Sequence, residues 1–569
     1  MCPNACATSQ ARHDPCAGRP CRCLTVATRL PCRSPLRATC REARPERPTM
    51  NDPSCNRGEG MVPAVGGACV LRSPDSENVQ AGSTPRVFER KFNRMTRSLD
   101  TMTHGTTTVA PPESAFEQAP LGTVPARSSG LVKITLLRKG LGCLLMIVAL
   151  LFFLCRGYDD ERTVLQLRDF KQPYSSARCL LKGCNPYSEA ETEAAFVQAG
   201  GDNSDVRVFE PYSALYPPFS FAVLAPVAAL PYPVAARVWM AFVAVSFSAA
   251  VVLTAELCLS FASVVSLVPL ALMTATSTIL LMLGQISGPV ISLCIIGLWC
   301  LIRGRATWLA VVCLSLAAVL KPHDAALLIL YLPFAGRTWR RAFVAIAVAC
   351  VVVVAAGTYW CAHTPAAAHW LQDLQTNLRG NSSAGAVNDP HRGYFEAVNM
   401  ANLQALLAPA FPAVAVYNRL ALGITALLLA FWSVPAIRMV NSRAKHVLAL
   451  GGLACITLLP IYHRQYDTRI LLVLSASAAM LLLWRARTWG VAALLLVFVG
   501  YVLTAHQYLN RLTLGHHPAI AQASTLKTIL LYRPLPLIEL TLAIFFVAAF
   551  WAAYRASTRR GAEPLLVEI

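Results

Sequence analysis

Residues 139–157 read KGLGCLLMIVALLFFLCRG, nineteen positions whose charges, Lys139 and Arg156, stand at the two edges. An apolar run of this length is what an α-helix needs to cross ~30 Å of hydrocarbon at ~1.5 Å per residue. Similar runs recur near 234–257, 261–283, 286–302, 307–320, 324–335, 341–361, 416–437, 445–461, 467–484, 488–505 and 534–554. Together they predict an all-α polytopic membrane protein with about 12 transmembrane helices. Composition agrees: 55% of 569 residues are hydrophobic, 14% are charged, and mean hydropathy is +0.49. One soluble core could not bury that much apolar surface, so the bilayer is the expected partner of this chain.

Residues 1–130 differ, being rich in Arg, Pro, Ser, Thr and Gly and carrying nine cysteines in the first 69 positions. They read as a disordered cytoplasmic tail ahead of a transmembrane domain over 131–560, with a short cytoplasmic tail at 561–569. The spacing of Cys2, Cys6, Cys16, Cys21, Cys23, Cys32 and Cys40 fits no standard zinc module, and no secretory signal layout is present. Met50, Met61, Met95 and Met102 all precede the first apolar run, so a later translation start is an alternative reading of this stretch.

The net charge of +20 suggests nucleic acid until it is located. The tail holds seventeen Lys/Arg and eleven Asp/Glu, only +6 of the total, and much of the remainder sits in short loops between apolar runs. If the first run passes from inside to outside, the basic groups at 303–305, 337–341, 438–445, 485–487 and 555–560 all land in the cytoplasm, as the positive-inside rule requires. No nucleic-acid partner is expected. The N-terminus is then cytoplasmic in a bacterial inner (plasma) membrane, and the segments 158–233, 362–415 and 506–533 are extracytoplasmic. The cytoplasmic loops are too short for a nucleotide-binding domain, and no Gly-rich phosphate loop occurs.

Two places depart from a plain bundle. The short runs 307–320 and 324–335 meet at Lys321-Pro322-His323, where proline stops a helix, and Tyr216-Pro217-Pro218 opens an apolar stretch closed by Pro231. The latter reads as a re-entrant or interfacial element. Irregular backbone near membrane depth is tolerated where it lines a polar cavity, so an outer cavity is expected.

The chemistry-bearing residues gather on that face. The first outer loop opens Tyr158-Asp159-Asp160-Glu161 and continues Arg168-Asp169-Phe170-Lys171-Gln172-Pro173-Tyr174, followed by a helical pattern that Gly183 would cap. Asp169 at a helix start is either a general base or a carboxylate that only complements the helix dipole. Lys321 and His323 sit at the broken helix pair, where a buried cation needs a negative partner such as a phosphate, or else snorkels to the interface. His463 and Arg464, within Tyr462-His463-Arg464-Gln465-Tyr466-Asp467, repeat the pairing of cations with aromatics, with a structural Arg–Asp pair as the competing reading. The polar stretch holding Asn388-Asp389-Pro390-His391-Arg392 is an acceptor-binding loop or a solvated connector. Cys179 and Cys184 could form a disulfide on an oxidising face, although helical geometry between them argues for separation. The outer carboxylates show no recognisable ligand spacing, so the sequence names no metal ligands and leaves metal dependence open.

Four short features together resemble the glycosyltransferase family 87 (DUF2029) membrane proteins, relatives of polyprenyl-phosphate-mannose-dependent mannosyltransferases of the GT-C fold. They are Asp169-Phe170 with Gly-Cys-Asn-Pro-Tyr at 183–187, Tyr-Pro-Pro-Phe with Leu-Ala-Pro across 216–226, Gly284-Gln285, and Leu320-Lys321-Pro322-His323. The resemblance spans about 139–555. It implies an inverting hexosyl transfer in which Asp169 (alternatively Asp159 or Asp160) activates the acceptor hydroxyl and Lys321, with His323 and Arg464, holds the donor phosphate. Tyr174, Tyr187, Gln285, His391, Arg392 and His463 are the candidate substrate-binding residues on this face. The donor substrate is a polyprenyl-phosphate sugar, no other cofactor being implied, and the acceptor is a lipid or glycan. A transporter or lipid flippase is the first rival, set against the lack of two similar halves and the gathering of charge on one face. A polymer ligase is the second, for which 362–415 is a modest outer loop.

Overall fold

Apolar runs become helices here, and Gly, Pro and hydroxyl residues decide where they stop. A computed structural model of the chain describes residues 129–160, 167–202, 214–261, 264–391, 395–484, 487–505, 509 and 524–559, and among them there is no β-strand. All lie in one compact unit, Gln118–Ile569. The tail cysteines, Glu161, Arg392, the side chain of Asp160 and residues 560–569 lie outside the described residues.

In chain order the helices are α1 Ser129–Asp160, α2 Arg168–Lys182, α3 Glu189–Gln198, α4 Pro218–Ala228, α5 Tyr232–Ser260, α6 Leu267–Ala275, α7 Ile279–Leu283, α8 Ser287–Arg303 and α9 Thr307–Leu320. There follow α10 Pro322–Leu330, α11 Arg337–Ala362, α12 Trp370–Asn381, α13 Leu403–Leu407, α14 Val414–Arg438, α15 Arg443–Thr457, α16 Val473–Leu483, α17 Arg487–Leu503 and α18 Pro534–Arg559.

Of the twelve apolar runs, five form helices long and apolar enough to cross a bilayer: Leu137–Asp159 within α1, then α5, α11, α14, and Pro534–Thr558 within α18. On α11, Val344, Val348, Val351 and Val352 form an exposed stripe at helical spacing, a face suited to lipid rather than water. This is an all-α membrane protein.

The other runs are shorter or broken, each for a local reason. The run 261–283 divides into α6 and α7 around Thr276–Thr278, where Thr274, Thr276 and Ser277 return their hydroxyls to the carbonyls of Leu270, Leu272 and Met273 at 2.8, 3.0 and 2.6 Å. Back-bonding of this kind bends helices. Lys321 leaves helical geometry (φ −150°, ψ 84°) before Pro322 opens α10. The run 467–484 begins as a 3-10 turn, Asp467–Leu472, before α16. The stretch opened by Tyr216 becomes α4, whose eleven residues reach only about 16 Å and cannot cross.

Connectivity gives the bundle two unlike ends. Arg303 closes α8, Arg337 opens α11, Arg438 closes α14, Arg443 opens α15 and Arg487 opens α17. At the opposite ends of these elements and their neighbours stand Ser287, Lys321 and the turn that follows α15, holding His463 and Asp467. Helix α8 packs on α5 and α9, α9 on α11, and α15 on α18.

Candidate functional site

The site is built around the α7–α8 junction. Gly284 adopts the left-handed conformation (φ 63°), and a Cβ there would lie 2.9 Å from Leu167 Cδ2 and 3.0 Å from Phe170 Cβ. Only glycine permits both the backbone angle and this approach to the start of α2. Its carbonyl accepts from Trp239 Nε1 at 2.7 Å, and the Trp239 ring stacks on Phe170 at 4.8 Å.

The next residue, Gln285, is buried, and its Nε2 donates to Asp169 Oδ2 at 2.6 Å. Asp169 is half-buried in the first turn of α2, where the helix dipole favours its charge. Immediately before that helix, Leu167 is left-handed (φ 55°), a conformation that costs a branched residue ~1–2 kcal/mol and is held by its packing against Gly284. Backbone strain and a glycine contact together fix where the Asp169 carboxylate points.

Two residues past Gln285, Ser287 begins a buried charge cluster. Lys321 Nζ bonds Ser287 Oγ at 2.7 Å, lies 3.1 Å from Asp324 Oδ2, and pairs closely with Asp467 Oδ1. Ser287 Oγ also reaches Asp467 Oδ1, at 2.5 Å. An ammonium has three hydrogens, and three acceptors surround this one. Direct binding of a phosphate by Lys321 therefore requires an acceptor to give way, because the negative partner that the buried cation needs is already supplied by Asp324 and Asp467. His463 Nδ1 lies 3.3 Å from both carboxylates, and the half-buried His323 ring is 5.1 Å from that of His463.

Two tyrosines stand near both Asp169 and this cluster. The Tyr216 phenol is within electrostatic reach of Asp169, Lys321, Asp324 and Asp467, and that of Tyr466 is within reach of Asp169, Arg464 and Asp467. The Tyr466 ring also lies 5.6 Å from Lys321 Nζ. Tyr187 donates its hydroxyl to the Tyr216 carbonyl at 3.0 Å, so it supports Tyr216 from behind.

The remaining sequence candidates scatter. Tyr174 is buried with its hydroxyl on the Leu230 carbonyl at 2.7 Å, a packing position among Phe170 and Tyr232. Asp159 is exposed on the last turn of α1. Arg464 uses its backbone N–H on Asp467 Oδ2 at 2.9 Å and its guanidinium on Tyr462 Oη and the Val387 carbonyl. Its partnership with Asp467 thus runs through the backbone amide.

His391 turns instead to Asp389 and to the Pro412 carbonyl, and Arg533 of the turn before α18 clasps the carbonyls of Pro390 and His391 at 2.8 and 3.2 Å. Burial opposes charge on Asp389, but the amides of Gly385 and His391 and the His391 ring hold its carboxyl below the ordinary value. The end of this loop docks on the site, with Ala401 N–H on the His463 carbonyl at 2.8 Å and Gln465 N–H on the Asn399 carbonyl at 3.0 Å.

Cys179 and Cys184 are bonded, with Cα atoms 5.0 Å apart. The argument for separation fails because the helix ends between them. Gly183 is left-handed (φ 80°), and Cys184 N–H returns to the Cys179 carbonyl at 3.0 Å, a closing turn that folds one cysteine back on the other. Asp324 and Ser287 escaped notice in the sequence, although Asp324 stands three residues after Lys321, the spacing of neighbours on a helix face.

Residues 214–460 match the model of glycosyltransferase family 87. The matched segment contains Tyr216, Gln285, Ser287, Lys321 and Asp324. Asp169, His463 and Asp467 lie beyond its bounds and join it through the contacts above. No curated protein and no solved structure gives a match.

Proposed function

We propose that this chain is a family 87 glycosyltransferase that moves a hexose, mannose by family precedent, from a polyprenyl-phosphate donor to a lipid or glycan acceptor. The reaction takes place on the extracytoplasmic face of the inner membrane and inverts the anomeric carbon. The observation that carries this reading is Asp169 held by Gln285 at the rim of a site built from the matched segment. Asp169 takes the proton of the acceptor hydroxyl as that oxygen attacks the anomeric carbon. The bond from that carbon to the phosphate oxygen breaks, and polyprenyl phosphate leaves with the electron pair. A positioned base of this kind contributes about 10²–10⁴-fold.

Sidedness is supported by two independent features. The basic helix ends lie opposite the polar cluster, and the Cys179–Cys184 disulfide belongs to an oxidising compartment. A donor that arrives on lipid also suits a chain whose described residues are helical and include no strand of a nucleotide-binding sheet. The test is transfer from radiolabelled polyprenyl-phosphate hexose by membranes containing wild type or Asp169→Asn at matched expression. Asparagine keeps the shape and cannot accept the proton, so transfer by wild type alone is the expected result. Transfer surviving in the variant moves the base to Asp159 or Asp160, and none by wild type with any donor returns the carrier reading.

A further inference from the structure

Three atoms of metal-ligand type converge beside Lys321 from two segments far apart in sequence, and a fourth, Asp467 Oδ2, lies beside one of them. His463 Nδ1 is 3.3 Å from Asp324 Oδ1 and 3.3 Å from Asp467 Oδ2, and His323 Nε2 is 3.7 Å from the same Asp324 oxygen. His323, Asp324 and His463 each offer one ligand atom within 4.8 Å of the others. Ligands held about 2.0–2.2 Å from a tetrahedral ion stand roughly 3.3–3.6 Å from one another; the separations of Asp324 Oδ1 from His463 and from His323, 3.3 and 3.7 Å, are close to that range.

The two carboxylates divide their oxygens. Lys321 takes Asp324 Oδ2 and Asp467 Oδ1, and Ser287 also takes the latter. The opposite oxygens, Asp324 Oδ1 and Asp467 Oδ2, both face His463. A metal site needs this outer support, in which each ligating carboxylate is oriented through its second oxygen. Asp324 has only 2% of its surface exposed, and its oxygens meet Lys321 Nζ and His463 Nδ1 as close ion-pair contacts. Two carboxylates against one ammonium also leave a net negative charge in a nearly closed space, which a further cation would relieve.

We propose that His323, Asp324 and His463 bind a divalent transition-metal ion, of the zinc or manganese class that imidazole and carboxylate ligands together suit, with Asp467 beside His463 as an outer carboxylate. The site itself stands without the transfer reading; its consequence rests on that reading. An ion here gives the donor phosphate the positive partner that Lys321, with its three acceptors, does not supply.

The experiment titrates Mn²⁺ into the purified, chelator-treated full chain, following loss of the free-ion signal by electron paramagnetic resonance. Manganese is the probe because the many thiols of this chain compete for zinc. Wild type is expected to take up one Mn²⁺, displaced by added Zn²⁺, and His323→Ala and Asp324→Asn to weaken uptake tenfold or more. His323 is at the rim, so its variant tests the site where the buried Asp324 variant fails to fold. No uptake by wild type, or equal uptake by a folded His323→Ala variant, overturns the proposal and leaves a proton on His463 as the balancing charge. Uptake needs no sugar donor: a wild type that transfers hexose without binding Mn²⁺ removes this inference alone, and one that binds Mn²⁺ without transferring removes the proposed function alone.

Discussion

Gln285 reaches across 116 positions of sequence to place its amide 2.6 Å from the Asp169 carboxylate. Gln285 lies inside the family-matched segment and Asp169 outside it, so one hydrogen bond couples the proposed base to the rest of the site. Two consequences can be measured, one for each side of the junction.

Replacing Gln285 with leucine removes the donor while keeping comparable bulk. The expected outcome is a fall in kcat of about 10²-fold with KM little changed, since misplacing a catalytic group mainly affects the reacting geometry. In membranes assayed for hexose transfer, the double variant with Asp169→Asn should be no slower than Asp169→Asn alone. Additive losses would separate the two roles.

Gly284→Ala should destabilise the protein by about 1–3 kcal/mol, through the left-handed backbone and the collision with Leu167 and Phe170. Thermal unfolding in detergent reads this directly. An alanine variant as stable as wild type would show that α2 can move away from the α7–α8 junction at little cost.

Removing the Cys179–Cys184 disulfide by Cys184→Ser closes no large loop, so the expected loss is about 2 kcal/mol by the chain-entropy argument. The bond also reports sidedness. An impermeant reductant followed by an impermeant thiol label on intact cells should modify both cysteines, as read by peptide mass mapping, and labelling only after lysis would place the loop inside.

Asp389 offers a pH test. Its folded carboxyl is held below the ordinary value of 3.8, so its stabilising contribution is complete above that value and is lost as pH falls through the lower folded one. Asp389→Asn should therefore be less stable than wild type at pH 7, with the gap closing as pH drops below 4. A gap unchanged down to pH 3 would contradict the assignment.

The helices were legible because apolar length is a local property, and so were the interruptions at Lys321-Pro322 and Gly284, which proline and glycine announce. Asp169 and Gln285 could be picked out singly but not as a pair, since nothing local records a contact over that distance. The charge cluster was harder still. Asp324 sits at the start of an apolar run and reads as its polar edge, and Asp467 reads as a partner of neighbouring Arg464. Only packing brings the segment at 321–324 against that at 463–467, and that same packing turns carboxylates with no ligand spacing in sequence into neighbours of two histidines. Tyr174 shows a related limit, because an aromatic with a hydroxyl looks the same in sequence whether it meets a sugar or, as its hydroxyl does here, a backbone carbonyl.

Helix α2 is fastened along its length, by Leu167 wedged on Gly284 at its start and by Tyr174 and Arg178 donating to the carbonyls of Leu230, Ala228 and Ala229 farther on. A base carried on such a beam does not swing toward its substrate. Any opening and closing of the reaction chamber must then fall to other parts of the protein, and the traffic of a long lipid donor and its acceptor must pass around a fixed carboxylate rather than wait for it to arrive.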